Sequence, residues 1–320
     1  MNYWKERVSI GSRSYPRFIG GPLDGYTDSP FRQLVRTWST ESLLYTEIRH
    51  VGTVAHARGA FNALRFNQRE RPLQFQVTTN QLTLITRAFE KIIACGVDGI
   101  DLNIACPAKN VIKSSSGSAL MGNLPLLESI LKLMRSLTTL PLTIKMRAGF
   151  KEKNALEVVR LAQACGVNAI AIHPRLQTQQ FGGTPDYNLV YNIKKTAQVP
   201  ILYSGGIHSY TQALDVYEKT GVDGFLIGRA LCGAPWKLAQ IEAEALGKNF
   251  AIMPSDRCQA ALNHLAFLIE YYGPRGLYNF RKHIPFYIQE QEGAVAARKK
   301  LLVTPHVNEV TNEFKKFFGV

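Results

Sequence analysis

Cys95-Gly96-Val97-Asp98-Gly99-Ile100 recurs in outline twice more along the chain, as Cys165-Gly166-Val167-Asn168-Ala169-Ile170 and as Thr220-Gly221-Val222-Asp223-Gly224-Phe225. In each copy the glycine suits the left-handed residue that closes a helix, and the polar residue beyond it turns the chain into an apolar run. The phrase is therefore a junction between a helix and a buried strand. Working outward from these junctions, short runs rich in Ile, Val and Leu alternate with longer amphipathic stretches, the pattern of parallel strands covered by helices. Eight runs are predicted, near residues 18–22, 43–46, 73–77, 99–103, 142–147, 169–173, 201–204 and 224–228. Helices are predicted between them, for instance over 81–94, 125–137, 155–164 and 210–219, each apolar on one face. Eight such units over roughly 230 residues match an α/β fold of the (β/α)8 TIM-barrel class. The GxGxxG turn that an open doubly wound sheet carries after its first strand is absent.

After Trp236 the strand pattern stops, and 255–272 and 308–318 read as helices. The expected organisation is a catalytic barrel over 1–245 followed by an all-helical C-terminal domain over 246–320. That tail carries Arg275, Arg281, Lys282, His283, Arg298, Lys299 and Lys300 among Tyr271, Tyr272, Tyr278, Phe280, Phe286 and Tyr287. Two readings stay open: cations for phosphates with aromatic faces for unpaired bases, or a bundle core with a wet basic face. A second basic stretch, Arg49, His50, His56, Arg58, Arg65, Arg69 and Arg71, holds the single acid Glu70 and reads either as a phosphate-tracking face or as a solvated surface.

The 320 residues are 46% apolar, and 38 Lys and Arg against 24 Asp and Glu give a formal charge of +14. Such a charge attracts polyanions, so nucleic acid is a candidate partner, although a merely basic enzyme would carry it too. Five cysteines, an odd number with no CxxC pair and no zinc-ligand spacing, argue against a disulfide framework and against a bound metal. No signal-peptide core and no run of ~18 apolar residues occurs, so a cytoplasmic protein without membrane attachment is expected.

In a parallel barrel the functional site lies at the carboxyl ends of the strands. Those positions are polar here: Asp24, Glu47, Gln76, Asn103 with Cys106, Lys145 with Arg147, and His173 with Arg175. A Lys and a His at the ends of buried strands cost free energy unless something anionic or hydrogen-bonding meets them. The seventh and eighth runs end in Ser204-Gly205-Gly206-Ile207 and Gly228-Arg229, where glycines let a phosphate approach free backbone amides; two plain turns are the alternative. Cys106 follows the fourth run on a polar loop that Pro107 keeps from becoming helical. A free thiol has a pKa of about 8.5, so at neutral pH it is a proton donor. The remaining cysteines, Cys95, Cys165, Cys232 and Cys258, read as buried apolar residues.

Together these residues resemble the bacterial tRNA-dihydrouridine synthases, and the resemblance runs over nearly the whole barrel. Pro22-Leu23-Asp24-Gly25-Tyr26-Thr27-Asp28-Ser29-Pro30-Phe31-Arg32 is similar to the family's opening motif, and Gln76 falls on its flavin-contacting glutamine. Asn103 to Lys109 matches the catalytic loop with its C-P-x-x-K core, Lys145-Met146-Arg147-Ala148-Gly149 the K-x-R-x-G strand, and His173-Pro174-Arg175 the H-x-R that follows. Gly228-Arg229 and Pro235-Trp236 complete the series. The chain departs from the pattern at Leu23 and Asp24, where Met and then Ala or Glu are usual. It departs again at Ser204-Gly205-Gly206, which stands for N-G-D, and at Leu176, usually polar.

The resemblance implies an FMN with its phosphate near Ser204, Gly205, Gly206, Gly228 and Arg229, and its ring near Pro22, Leu23, Asp24, Gln76, Lys145 and His173. It implies NADPH as reductant, a hydride passed to uracil C6 and a proton from Cys106 to C5. Asn103, Lys109, Arg147 and Arg175 would meet the nucleotide, with tRNA as partner and the chain a monomer. Two other readings are a flavin barrel acting on a small molecule such as dihydroorotate or an enone, and an RNA-binding protein without catalysis.

Overall fold

Every residue of Leu73–Thr78 and of Gly99–Ile104 is buried, as befits strands enclosed on both faces. The computed structural model describes residues 3–57, 64–289 and 291–320, and among these it contains eleven strands. They are β1 (Val8–Ile10), β2 (Arg13–Tyr15), β3 (Phe18–Gly20), β4 (Leu44–Tyr45), β5 (Arg49–His50), β6 (Leu73–Thr78), β7 (Gly99–Ile104), β8 (Leu142–Gly149), β9 (Ala169–Leu176), β10 (Ile201–Ser204) and β11 (Gly224–Ile227). From β3 through β4 and β6 to β11 each strand pairs in parallel with the next, and β11 pairs back onto β3. The ring is closed, with the eight strands where the apolar runs were read.

Helices cover its outside: α1 (Ser29–Arg36), α2 (Val51–Ala55), α3 (Ile85–Ala94), α4 (Lys109–Lys113), α5 (Leu124–Ser136), α6 (Ala155–Ala164), α7 (Tyr187–Thr196), α8 (Tyr210–Thr220) and α9 (Lys237–Ala245). The junction glycines behave as their sequence suggests, Gly96, Gly166 and Gly221 adopting φ of 76°, 77° and 65°. The helix expected from residue 81 instead opens with a 3-10 turn, Leu82–Leu84, before α3. One element went unread. The β1–β2 hairpin places Val8, Ile10 and Tyr15 against Ile19, Leu43, Tyr45, Ala169, Ala171, Leu202 and Leu226, closing the amino end of the barrel with an apolar plug.

The chain ends in α10 (Pro254–Tyr272), α11 (Gly276–Phe280), α12 (Ile284–Tyr287), α13 (Ala294–Val303) and α14 (Val307–Phe318). These helices share a second core, with Leu268, Phe280, Tyr287 and Phe314 at its centre and with Leu34 of α1 and Trp236 packed into it. Of the tail's aromatics, then, Phe280 and Tyr287 are core, whereas Tyr278 is exposed. His283, read with the cations of the tail, is fully buried, and burial drives its pKa down to about 3, so it is neutral. In the second basic stretch Arg49 pairs with Glu47, Arg71 with Asp98, and Arg65 lies over the ring of Tyr271; Arg58 lies outside the described residues.

The lone acid of that stretch does structural work. Glu70 is completely buried, accepts from Arg32 Nε at 2.8 Å, from Ser29 and from the Asn67 amide, and so ties α1 to the segment entering β6. Breaking a buried pair strands the surviving charge and costs roughly 3–5 kcal/mol. Glu70→Ala should therefore lower the free energy of unfolding, read from urea denaturation, by an amount in that range, whereas Lys132→Ala, which removes the exposed Lys132–Glu128 pair, should leave it unchanged.

Candidate active site

Side chains alternate across a strand, so residues two apart on β6, β7 and β8 enter the barrel together: Gln74 and Gln76, Asp101 and Asn103, Thr143 and Lys145. Above the apolar plug they form a polar layer. The Asp101 carboxylate, fully buried, accepts from Thr143 Oγ1 at 2.6 Å and from Gln76 Nε2 at 2.7 Å. Burial still pushes its pKa up to about 6. Gln74 Nε2 donates to Thr143 Oγ1 at 3.0 Å. Asn103 Nδ2 donates to Gln76 Oε1 at 2.9 Å, while Asn103 Oδ1 takes the amides of Ala105 at 3.0 Å and Cys106 at 2.8 Å. The Cys106 carbonyl is held from the other side by the amide and hydroxyl of Ser118. Gly117, at φ 59°, has no room for a Cβ, which would sit 2.7 Å from Val111 and 3.0 Å from the Cys106 carbonyl. The cysteine loop is thus fixed from below and behind.

Four cations and one imidazole meet above this layer. Arg147 is buried, and its Nε and Nη1 are spent on backbone, donating to the carbonyls of Ala105 at 2.8 Å, Gln180 at 2.7 Å and Leu176 at 3.1 Å. Arg175 donates from Nε to the Gly183 carbonyl at 3.0 Å and from Nη1 to His173 Nε2 at 2.9 Å. A guanidinium only donates, so His173 Nε2 is the acceptor and the ring proton resides on Nδ1. Burial and the surrounding Lys145, Arg147, Arg175 and Arg229 drive the His173 pKa down to about 2, keeping the ring neutral. Lys145 is different. Its Nζ has no hydrogen-bond or ion-pair partner among the described residues, and burial, with Arg147 beside it, lowers its pKa to about 8. Asp101 and Cys106 lie close enough to oppose that shift.

Beyond β10 and β11 the backbone itself is the binding group. Gly205 and Gly206 adopt φ of 126° and 73°, and among the described residues their amides and those of Gly228 and Arg229 have no partner. A Cβ on Gly205 would lie 2.7 Å from the His173 ring, so only glycine fits there. Open amides beside the Arg229 cation make a cradle for an anion.

A single cavity of about 270 Å³ joins these parts. Pro22, Leu23, Asp24, Gln76, Asn103, Cys106, Lys145, Arg147, His173, Arg175, Ser204, Gly205, Gly206, Gly228 and Arg229 all line it. Of the residues singled out in the sequence Lys109 and Glu47 do not: Lys109 is exposed at the start of α4, and Glu47 bonds Arg49 and the Gly25 amide. Phe181 and His208 line the cavity without having been read from the sequence. Phe181, 58% exposed, lies over the guanidinium groups of Arg229 and Arg147, with centroid distances of 5.0 and 5.7 Å. No ladder of apolar residues marks this loop, so only its position after β9 could have drawn attention to it. No group of three or more residues suited to a metal ion occurs among the described residues.

A family model described as dihydrouridine synthase matches residues 19–318. The chain is 30% identical over 311 residues to a protein of Synechocystis sp. named probable tRNA-dihydrouridine synthase 1, an alignment covering 96% of this chain and 88% of that one. It is 31% identical over 293 residues to tRNA-dihydrouridine synthase B of Pseudomonas aeruginosa, covering 90% and 88%. Among solved structures, an old yellow enzyme homologue from Zymomonas mobilis superposes with a TM-score of 0.56 over 75% of this chain and 92% of that one. A morphinone reductase variant in complex with tetrahydroNAD superposes with a TM-score of 0.58 over 75% and 90%. Both are 10% identical to this chain and attest the shared barrel.

The partnerless lysine makes anion binding pH-dependent. In the free protein Lys145 titrates near pH 8, and an anion beside it raises that pKa, so binding takes up a proton. Affinity for a flat anionic ligand should hold from pH 6.5 to 7.5 and fall by up to about tenfold per pH unit above 8. Lys145→Met should bind more weakly at pH 7 and show no such fall, as read by titration calorimetry at both pH values.

Proposed function

This chain belongs to the dihydrouridine synthase family, and we propose on that premise that it reduces uridine in tRNA to 5,6-dihydrouridine with FMN as cofactor and NADPH as reductant. It would do so as a cytoplasmic monomer. One observation carries the reading: the Cys106 loop, the Lys145 ammonium and the open-amide cradle border one cavity at the carboxyl end of the barrel.

The residues fit FMN. Its phosphate would occupy the amides of Gly205, Gly206, Gly228 and Arg229, where the side-chain-free Gly205 permits close approach. Its ring would lie along Pro22, Leu23 and Asp24, over Gln76 and Lys145, with neutral His173 at its edge. Ser204 would contribute at the phosphate end. When bound, the flavin supplies the hydride that adds to C6 of the uracil.

The protein's own groups do the rest. Hydride addition at C6 leaves negative charge on C5 and the uracil carbonyls, and Cys106 Sγ–H delivers its proton to C5, completing saturation of the bond. The thiolate left behind sits beside Lys145 and Arg147 until water restores its proton. Lys145 and Arg175 stabilise the charge on the carbonyls. Asn103 has one Nδ2 hydrogen beyond those in the protein network and uses it to orient the base. Arg147 shapes the floor through its three carbonyl contacts and presents its remaining Nη2 to the substrate, while Lys109, outside the cavity, serves a neighbouring phosphate.

A uridine in folded RNA must leave its stack to reach such a site, so a grip outside the cavity is required. The net charge of +14 and the exposed cations of the helical region would provide it through phosphate contacts.

Supplying the protein to cells lacking dihydrouridine should restore that base in their tRNA. The decisive variant is Cys106→Ala. It should lose about 10²–10⁴-fold in the rate at which reduced flavin is reoxidised by unmodified tRNA, the usual range for a lost general acid. Its reduction by NADPH, which needs no proton from this thiol, should continue at the wild-type rate. Normal turnover in Cys106→Ala, measured by stopped-flow flavin absorbance, would remove the acid assignment.

A further inference from the structure

Carboxamides are the only side chains whose two ends look alike in shape and opposite in hydrogen bonding, so a chain of them has a direction that something must impose. Two lie in series here. Gln76 Nε2 donates to Asp101 and its Oε1 accepts from Asn103; Asn103 Oδ1 in turn accepts the amides of Ala105 and Cys106. The two ends of the series are fixed in kind. At one end stands an ionised carboxylate, which only accepts; at the other stand two backbone N–H groups, which only donate.

We propose that Asp101 is a positioning residue for the proton donor: through Gln76 and Asn103 it sets the direction of the series that holds Cys106 at the cavity's edge. The inference rests on the reading of Cys106 as the acid. Without an acceptor at 101, Gln76 is free to turn its amide over. That places Gln76 Nε2 against Asn103 Nδ2, two donors facing each other, and the relief is for Asn103 to turn as well. Asn103 Nδ2 then meets the amides of Ala105 and Cys106, again donor against donor, and the loop lets go. Asp101 does not line the cavity, so the direction it imposes reaches Cys106 through these bonds.

Asp101 also carries a charge that Lys145 feels, and the two effects must be separated. Asn and Ala at 101 both remove the charge. Only Asn keeps an acceptor for Gln76, because its amide nitrogen can be taken by Thr143 Oγ1, whose hydrogen then turns to Tyr45 Oη, now 3.4 Å away. The comparison of Asp101→Asn with Asp101→Ala in the flavin-loaded protein therefore isolates direction from charge.

Three readouts decide it. Hydrogen exchange at the Ala105 and Cys106 amides should speed up at least tenfold in Asp101→Ala and stay within about threefold of wild type in Asp101→Asn. Flavin reoxidation by tRNA should drop at least tenfold in Ala and be largely restored in Asn, with reduction by NADPH altered equally in both. Thermal unfolding places both variants on a common scale of stability. Equal exchange and equal reoxidation rates in Ala and Asn would overturn the proposal, as would reduction by NADPH falling further in Ala than in Asn to the same extent as reoxidation does. Failure of the underlying reading looks different: wild-type reduced flavin would then not be reoxidised by tRNA at all, while the exchange result would still stand or fall by itself.

Discussion

The barrel closes through its two shortest strands. Phe18–Gly20 must be gripped by Gly224–Ile227 on one side and by Leu44–Tyr45 on the other, and the second pairing has a single register partner, Gly20 opposite Leu44. So little ladder cannot hold a seam alone. Gly20 helps by having no side chain, since a Cβ would meet Leu44 at 2.6 Å. Arg36, buried in α1, braces β4 from its other side: it donates to the carbonyls of Ser39 and Ser42 before β4, and to those of Glu70 and Pro72 before β6. One guanidinium thus ties together the segments that enter β4 and β6, the strand pair next to the seam. Because a ring of parallel strands brings all its carboxyl ends to one mouth, every feature of the cavity depends on this seam being shut.

Collecting four cations at that mouth carries an electrostatic cost, and the protein meets it unevenly. Arg147 is neutralised by three carbonyls, Arg175 by a carbonyl and an imidazole, and Arg229 by the face of Phe181. His173 stays uncharged. Lys145 alone is left in want of a partner, and the open amides of Gly205, Gly206 and Gly228 lie along the same cavity. The site is therefore organised for a ligand with negative charge at two separated points, one at the lysine and one at the glycines. The flavin nucleotide proposed as cofactor would meet both at once.

The eight strands were legible because burial on both faces leaves a continuous apolar run that no helix of that length needs, and the junction glycines marked where each begins. The cavity residues were legible for a related reason: a polar residue at the end of such a run has only the mouth to face. What escaped had no such signal. The β1–β2 hairpin is three residues a side with Arg13, Ser9 and Ser14 among them, and it is a strand pair only because the barrel's amino end needs an apolar cover. Asp101, Thr143 and Gln74 sit within the runs, one or two residues before the polar ends, and sequence does not tell a polar residue facing the barrel axis from one tolerated at a strand edge. His283 misled in the opposite sense, its basic neighbours suggesting a charge that burial removes.

The helical region and the cavity are not independent structures. The loop from Pro22 to Asp28 begins at the cavity, with Leu23 and Asp24 in its wall, and Glu47 holds its Gly25 amide at 2.8 Å. Four residues on, Tyr26 stands edge-on to His283 and Phe286, and Asp28 accepts from Tyr272 Oη at 3.1 Å while capping α1 through the Phe31 amide. A displacement of α10 or α12 must therefore be taken up either by breaking the Tyr272–Asp28 bond or by moving the wall against which the ligand rests. Burial favours the second, because an Asp28 carboxylate left without its partner in that setting is costly, its pKa already pushed up to about 6. The helical region is in this way joined, through seven residues of one loop, to the geometry of the cavity.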